Sequence, residues 1–287
     1  MDLFTHADDA PSYADLLGTL PKKEQRGSRA RCVLLTDGPS EVVAKRLSGL
    51  ADGVATVDPE RDFWMPRGFA EPREGKLGKA PRFLSDEQRE AVTAWWLVVR
   101  KRANTPNWDI ASTANIDGSR GLLLVEAKAH QAELKTDGKT NEGRPENHAR
   151  IQVACREASD ALNRIRTGWT LSTKKNYQLC NRFVWAWKLA SLRVPVVLVY
   201  LGFLRAEEMR VPFADAEQWD HLVRDHSKGV VPGGVWDSPT FVNGTPLCAK
   251  ISSREVPLLS ATTGHIQCSK RHQSSLATGG RNQLGQD

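Results

Sequence analysis

Asp109, Glu126 and Lys128 are the side chains in this chain whose types and spacing could do chemistry together. They lie in NWDIASTANIDGSRGLLLVEAKAH, which runs from Asn107 to His130. Asp117-Gly118 signals a two-residue hairpin, because a type I′ turn needs positive φ at both central positions and this dipeptide tolerates it. Ile116 then pairs with Ser119, and continuing outward puts Asp109 opposite Glu126. Directly opposed Cβ atoms in an antiparallel pair lie roughly 4.5–5.5 Å apart, close enough for two carboxylates to grip one cation. Strand alternation puts Lys128 on the face of Glu126. Two opposed like charges destabilise a bare hairpin, so the arrangement calls for a compensating cation, either Lys128 or a bound metal. A slip of one residue would send Asp109 to the other face.

The bland alternative is an exposed hairpin edge carrying a surface ion pair worth about 0–1 kcal/mol. Against it, Leu122 to Val125 are apolar at every position, so the strand is interior and its charged end is costly without a role.

The rest of the chain must position these residues. At 287 residues, with 40% hydrophobic and 26% charged side chains, it can bury a substantial core in one large domain or two small ones. No apolar run approaches the about 18 residues of a membrane span, and the first residues lack the zones of a secretory signal, so a cytoplasmic protein is expected. The five scattered cysteines form no close pair, which argues against a zinc ribbon or a disulfide framework. The formal charge of +6 leans towards polyanion binding.

Along the chain, Ser12 to Leu20 reads as a short helix, Arg31 to Thr36 as a buried strand, and Glu41 to Leu50 as a helix. Met65 to Arg82 is rich in Pro, Gly and basic residues and reads as an exposed loop. Ser85 with Gln88 forms a capping box that opens a helix over Asp86 to Arg100, with Leu84, Glu87, Ala91, Ala94, Trp95 and Val98 on its buried stripe. After the hairpin and a polar loop, helices are expected over Asn147 to Ile165 and Thr173 to Leu192. Val194 to Phe203 is a strand covered on both faces, followed by a helix near Ala214 to Asp225 and a strand around Leu247 to Ile251. The tail from Ala261 is polar and expected to be disordered. Trp95, Trp96, Trp185 and Trp187 fall at helical spacing, which favours core over base stacking.

The order helix, strand with Asp, strand with Glu-x-Lys, helix, strand resembles the catalytic core of the PD-(D/E)XK nuclease superfamily. The matching residues are Asp109, Glu126 and Lys128, with Glu126-Ala127-Lys128 as the E-x-K element. The strict Pro-Asp pair is absent, since Asn107 and Trp108 separate Pro106 from Asp109. The resemblance covers roughly Ser85 to Phe203. It implies an α/β fold, a three-layer α/β/α sandwich around a mixed β-sheet with a restriction-endonuclease-like core, and it lends no support to the N-terminal region or to anything after residue 205; along the chain, 85–258 is expected to hold the core with C-terminal additions. Residues 1–84 would be an N-terminal α/β extension packed on that core, and 259–287 a disordered tail. It further implies Mg²⁺ (or Mn²⁺) dependence and hydrolysis of phosphodiester bonds.

Asp109, Glu126 and the Ala127 carbonyl would then hold the metal, with Glu87 as an outer ligand and Glu90 behind it. Lys128 would orient the attacking water or neutralise charge on the phosphate. Gln152, Tyr177 and Gln178 are positions from which a following helix could reach the metal. His148 and Arg150, in the first turn of their helix, could face a phosphate. Arg164, Arg166, Lys174 and Lys175, with Gln178, form the cleaner basic group for a DNA backbone. Arg67, Arg73, Lys76, Lys79 and Arg82 form a second, diluted by Glu71 and Glu74.

DNA is the expected partner and no membrane is expected. A homodimer, or partner proteins of a DNA-processing or defence system, are further candidates. The competing expectation is a non-catalytic nucleic-acid-binding or assembly module that keeps the fold.

Overall fold

The computed structural model describes residues 13–80, 82–139 and 144–258. The expected disordered tail lies outside these residues, as does the first residue of the expected N-terminal helix. In chain order the elements are α1 (Tyr13–Gly18), α2 (Gly27–Leu35), α3 (Ser40–Leu50), β1 (Trp64–Met65), α4 (Asp86–Trp96), β2 (Ile110–Ile116) and β3 (Ser119–Lys128). They continue with α5 (Pro145–Asn163), α6 (Tyr177–Ser191), β4 (Val196–Leu204), α7 (Ala216–Ser227), β5 (Thr240–Val242) and β6 (Thr245–Glu255).

The strands form one open mixed sheet in the order β1-β2-β3-β4-β6-β5, with β3, β4 and β6 parallel and the outer pairs antiparallel. The fold is therefore α/β. Central strands buried on both faces read as unbroken apolar runs, and Leu122 to Val125 of β3 and Val196 to Val199 of β4 are all fully buried. Alternation divides them between two cores. Leu122, Leu124, Val196 and Leu198 pack with α4 to α7, whereas Leu123, Val125, Val197 and Val199 pack with α2 and α3. Among the described residues, no helix is long and apolar enough to cross a membrane.

The Asp117-Gly118 hairpin forms in the expected register. Both residues have positive φ (50° and 74°), and Ile116 pairs with Ser119 through to Ile110 with Val125. The capping box at Ser85 and Gln88 is present in full.

Three expectations fail locally. Arg31 to Thr36 is not a strand but the end of α2. A short apolar run cannot be told from a buried helix by periodicity, and this one is covered on two sides. Cys32 and Leu35 face the sheet, while Ala30 and Val33 pack with Leu17 and Leu20. Secondly, α4 ends at Trp96, and its buried residues are Val92, Trp95 and Trp96. The two tryptophans carry most of the helix's apolar area and set its rotation, leaving Ala94 exposed and Glu87 turned to solvent, while Val98, 61% exposed, lies beyond the helix end. Thirdly, the Met65 to Arg82 segment is not a free loop. Met65 lies in β1, Leu77 is fully buried, and Gly75 bridges Trp108 through paired backbone hydrogen bonds of 2.9 Å. Residues 27–65 thus supply the edge strand and one helical layer of the sandwich.

Gly202 of β4 sits opposite Lys128 in the parallel register. A Cβ there would come within 2.5 Å of the Trp219 ring, so the missing side chain is what lets α7 close over the sheet beside Lys128. Gly202→Ala should cost about 1–3 kcal/mol through overpacking, read as a lower urea midpoint with an unchanged slope.

Candidate active site

Beyond Ile110 the chain turns away from β3 to make the Trp108–Gly75 bridge, so Asp109 sits at a bend between two pairings. Its carboxylate turns back and accepts a 2.7 Å hydrogen bond from the Ala127 N–H. Continuing the β2–β3 register places it opposite Glu126, and both share the sheet face of Ala111 and Leu124, towards α4 to α7. Lys128 lies on the same face.

Glu126 is 1% exposed and is held from two sides. One carboxylate oxygen accepts from Lys128 Nζ and the other from Arg182 Nε. Arg182 comes from α6, is 7% exposed, and lies over the Trp108 ring at 4.6 Å from its centroid. A delocalised guanidinium stacked on an aromatic face is the cation most easily kept in so dry a place.

The electrostatics separate the two carboxylates. Burial pushes the Asp109 carboxyl up to about 7 and the nearby Glu126 charge adds to this, against the lowering pull of Lys128, the Ala127 N–H and Arg182. Burial would also raise Glu126, but Arg182 and then Lys128 outweigh it and hold that carboxyl below its ordinary value. For Lys128 burial opposes the charge, yet Glu126 and then Asp109 raise it, so it stays an ammonium. Glu126 is therefore a fixed anion, and Asp109 is the member of the pair that titrates near neutrality.

These residues form the floor of a cleft of about 710 Å³. One wall is the segment from Asn104 to Asn107 with Glu74, whose carboxylate accepts from Asn107 at 2.7 Å. The opposite wall is the segment from Glu133 to Lys139 and the start of α6, tied by Lys139 N–H to Thr173 O and Asn176 N–H to Thr136 O, both 2.8 Å. Glu133 accepts from the Ala129 N–H at 2.6 Å and from Ser28 Oγ at 3.2 Å, joining this wall to the N-terminus of α2.

Of the residues singled out in the sequence, Asp109, Glu126, Ala127, Lys128, Tyr177 and Gln178 all line the cleft. Glu87 does not. It is exposed in the first turn of α4, and the metal-ligand role expected of it is not supported. Glu90 is drawn to Arg100, Arg150 to the Trp95 carbonyl and Glu157, and Gln152 to His148. Arg164 and Arg166 are also outside the cleft: Arg164 is exposed at the C-cap of α5, and Arg166 bonds Ser238 at 2.8 Å. Lys174 and Lys175 are exposed on the loop before α6, which pairs with the cleft wall.

Sequence reading missed Arg182, Glu74 and Glu133. The signal for Arg182 was a lone arginine within the apolar stretch Leu179 to Ala190, where a buried cation needs a partner. Glu74 left none, since its place depends on the irregular Gly75–Trp108 bridge. Comparisons with protein-family models, curated proteins and solved structures returned no match.

A carboxyl raised to about 7 costs stability from about pH 4, its ordinary value, and the cost levels off above pH 7. Asp109→Asn should therefore stabilise the fold at pH 8 by about 2 kcal/mol, reduced from the full linkage value because Asp109 is partly open to water. The gain should vanish near pH 4 in urea titrations at the two pH values. Glu126→Gln should instead cost about 3–5 kcal/mol, because it strands two buried cations.

Proposed function

We propose that this chain is a Mg²⁺- or Mn²⁺-dependent nuclease that hydrolyses phosphodiester bonds in DNA, built on the restriction-endonuclease-like plan of the PD-(D/E)XK enzymes. The observation that carries the reading is the placement of Asp109, Glu126 and Lys128 on one sheet face at the floor of a cleft.

The donor set fits a hard divalent cation. Mg²⁺ takes oxygen ligands and is usually held by one or two carboxylates together with substrate phosphates. Among the described residues no group of three or more His, Cys, Asp or Glu makes a self-sufficient cage, so substrate oxygens would complete the shell. A carboxylate has about four acceptor positions, so Glu126 retains capacity beyond its bonds to Lys128 and Arg182. The raised carboxyl of Asp109 marks an anion whose charge the protein alone undercompensates. Asp109 and Glu126 would hold the ion, with the Ala127 carbonyl as a third oxygen. When bound it would supply a water of lowered pKa and positive charge for the phosphate.

Lys128 keeps its proton and would neutralise charge that develops on the scissile phosphate. Arg182 acts through Glu126 as a positioning residue, fixing the plane of its carboxylate.

One observation favours a second reading. The formal charges of Asp109 and Glu126 are matched in number by Lys128 and Arg182, so the site reaches formal neutrality without a metal even though Asp109 itself is poorly compensated, which suits a non-catalytic nucleic-acid-binding or assembly module.

The deciding experiment incubates purified protein with circular single-stranded, circular duplex and linear DNA, with Mg²⁺, with Mn²⁺ or with EDTA. Cleavage is expected only with metal, reduced at least about 100-fold in Lys128→Ala and Asp109→Asn. Undiminished cutting by either variant would overturn the reading. Metal-independent DNA binding without cleavage would establish the second one. At limiting Mg²⁺ the rate should rise with pH as Asp109 loses its proton around pH 7, and saturating Mg²⁺ should move that rise to lower pH.

A further inference from the structure

A second cavity, of about 240 Å³, adjoins the cleft and shares Thr105 with it. Its walls are Gly78 and Lys79 of the segment before α4, Arg89 and Thr93 of α4, and Arg100 beyond that helix. A Cβ on Gly78 would come within 2.7 Å of Thr105 Cγ2 and 3.1 Å of Thr93 Oγ1, so backbone alone can close this side.

Two polar atoms here are unsatisfied. Arg89 Nη1 and Thr93 Oγ1 are shielded from solvent and have no hydrogen-bond partner among the described residues. A donor left in that condition costs about 1–3 kcal/mol, and more when charged. The neighbouring charges are already committed. Arg89 uses its other terminal nitrogen on Asp86 at 2.7 Å, Arg100 holds the exposed Glu90, and Lys79 Nζ donates to Asn104 at 2.8 Å. Lys79, Arg89 and Arg100 face only Glu90 as an acid lining the cavity. Turned into the cavity by a side-chain rotation, the unpartnered guanidinium nitrogen and the hydroxyl, beside two more cations in a space this size, suit an anion with several acceptor oxygens.

The cleft needs such an anchor. Its own lining is slightly acidic, with Glu74, Glu133 and Asp137 joining Asp109 and Glu126 against four cations, so a polyanion gains little there before metal arrives. We propose that the α4 cavity is a phosphate subsite that grips the DNA backbone beside the reacting bond. This rests on the nuclease reading of the cleft. Thr105 and Asp109 are four residues apart, at most about 14 Å. At about 3.4 Å per base step along one strand, that span corresponds to about four steps.

The test is fluorescence anisotropy of a labelled single-stranded oligonucleotide with EDTA present, over a range of salt. Relative to wild type, Lys79→Gln/Arg89→Gln should bind about tenfold more weakly at low salt. Its slope of log affinity against log salt should be shallower by about 0.7, the loss of roughly one phosphate contact on a single strand. Lys23→Gln/Lys45→Gln, which removes two exposed charges elsewhere, should leave affinity within about twofold and the slope unchanged. Thr93→Val keeps every charge and should weaken binding about threefold at constant slope, with the circular-dichroism melt confirming that each variant is folded. If wild type binds DNA and the cavity variants match it, the subsite is overturned and the nuclease reading stands. Wild type that neither binds DNA nor cuts it with Mg²⁺ would overturn both.

Discussion

The buried carboxylate of Glu126, clamped between Lys128 and Arg182, is the interaction on which the rest of this structure turns. A charge 1% exposed between a sheet and a helical layer is tolerable only with partners of opposite sign and good geometry. That requirement reaches far along the chain. It obliges α6, otherwise apolar through Phe183, Trp185 and Leu189, to carry an arginine. It puts the fully buried Trp108 beneath that arginine as a face on which the guanidinium can rest. It also fixes where β2 must stop. With the ladder ended at Ile110, Asp109 turns its carboxylate to the Ala127 N–H instead of continuing as a strand residue.

The parts of this arrangement that were legible in the sequence are those governed by local rules. Asp117-Gly118 names its own turn, the turn fixes the register, and alternation then assigns Asp109, Glu126 and Lys128 to one face. Capping chemistry marked the start of α4 equally well. Arg31 to Thr36 was misread because six apolar-leaning residues carry no period long enough to separate a strand from a helix covered on two sides. The rotation of α4 was misjudged because an evenly weighted stripe ignores how strongly Trp95 and Trp96 pull it. Arg182 and Glu74 lie 56 and 52 residues from Glu126 in the chain, and only tertiary packing brings them to the cleft. Glu74 in particular depends on an isolated bridge between two irregular segments, for which no pattern exists.

The N-terminal segment shows how strongly site and fold are joined. Its helix α2 packs Cys32 and Leu35 against the face of the sheet opposite the site, yet the first turn of that helix meets the cleft wall. Gly27 N–H bonds Glu208 at 3.1 Å and Ser28 bonds Glu133, so two carboxylates sit where the helix dipole favours anions. Arg31, 1% exposed, completes the link by pairing with Glu208. The wall carrying Glu133 is thus fastened to a helix that a reading confined to the 85–258 core would treat as peripheral.

On the nuclease reading, the unequal treatment of the two carboxylates acquires a physical sense. Were both as tightly paired as Glu126, a divalent cation would have to displace protein cations from each and would gain little. Were both as poorly compensated as Asp109, both carboxyls would take up protons near neutral pH, leaving no fixed anion, or would cost the fold more stability than it could spare. One anchored anion supplies a rigid ligand in a defined orientation. One anion near its own pKa supplies the charge imbalance that an incoming cation relieves. The same division explains why Arg182 is needed beside Lys128. If Lys128 were the only cation on Glu126, moving its ammonium towards a phosphate would strand the buried glutamate. With Arg182 holding the other oxygen, Lys128 is free to turn to substrate while Glu126 stays charged and in place.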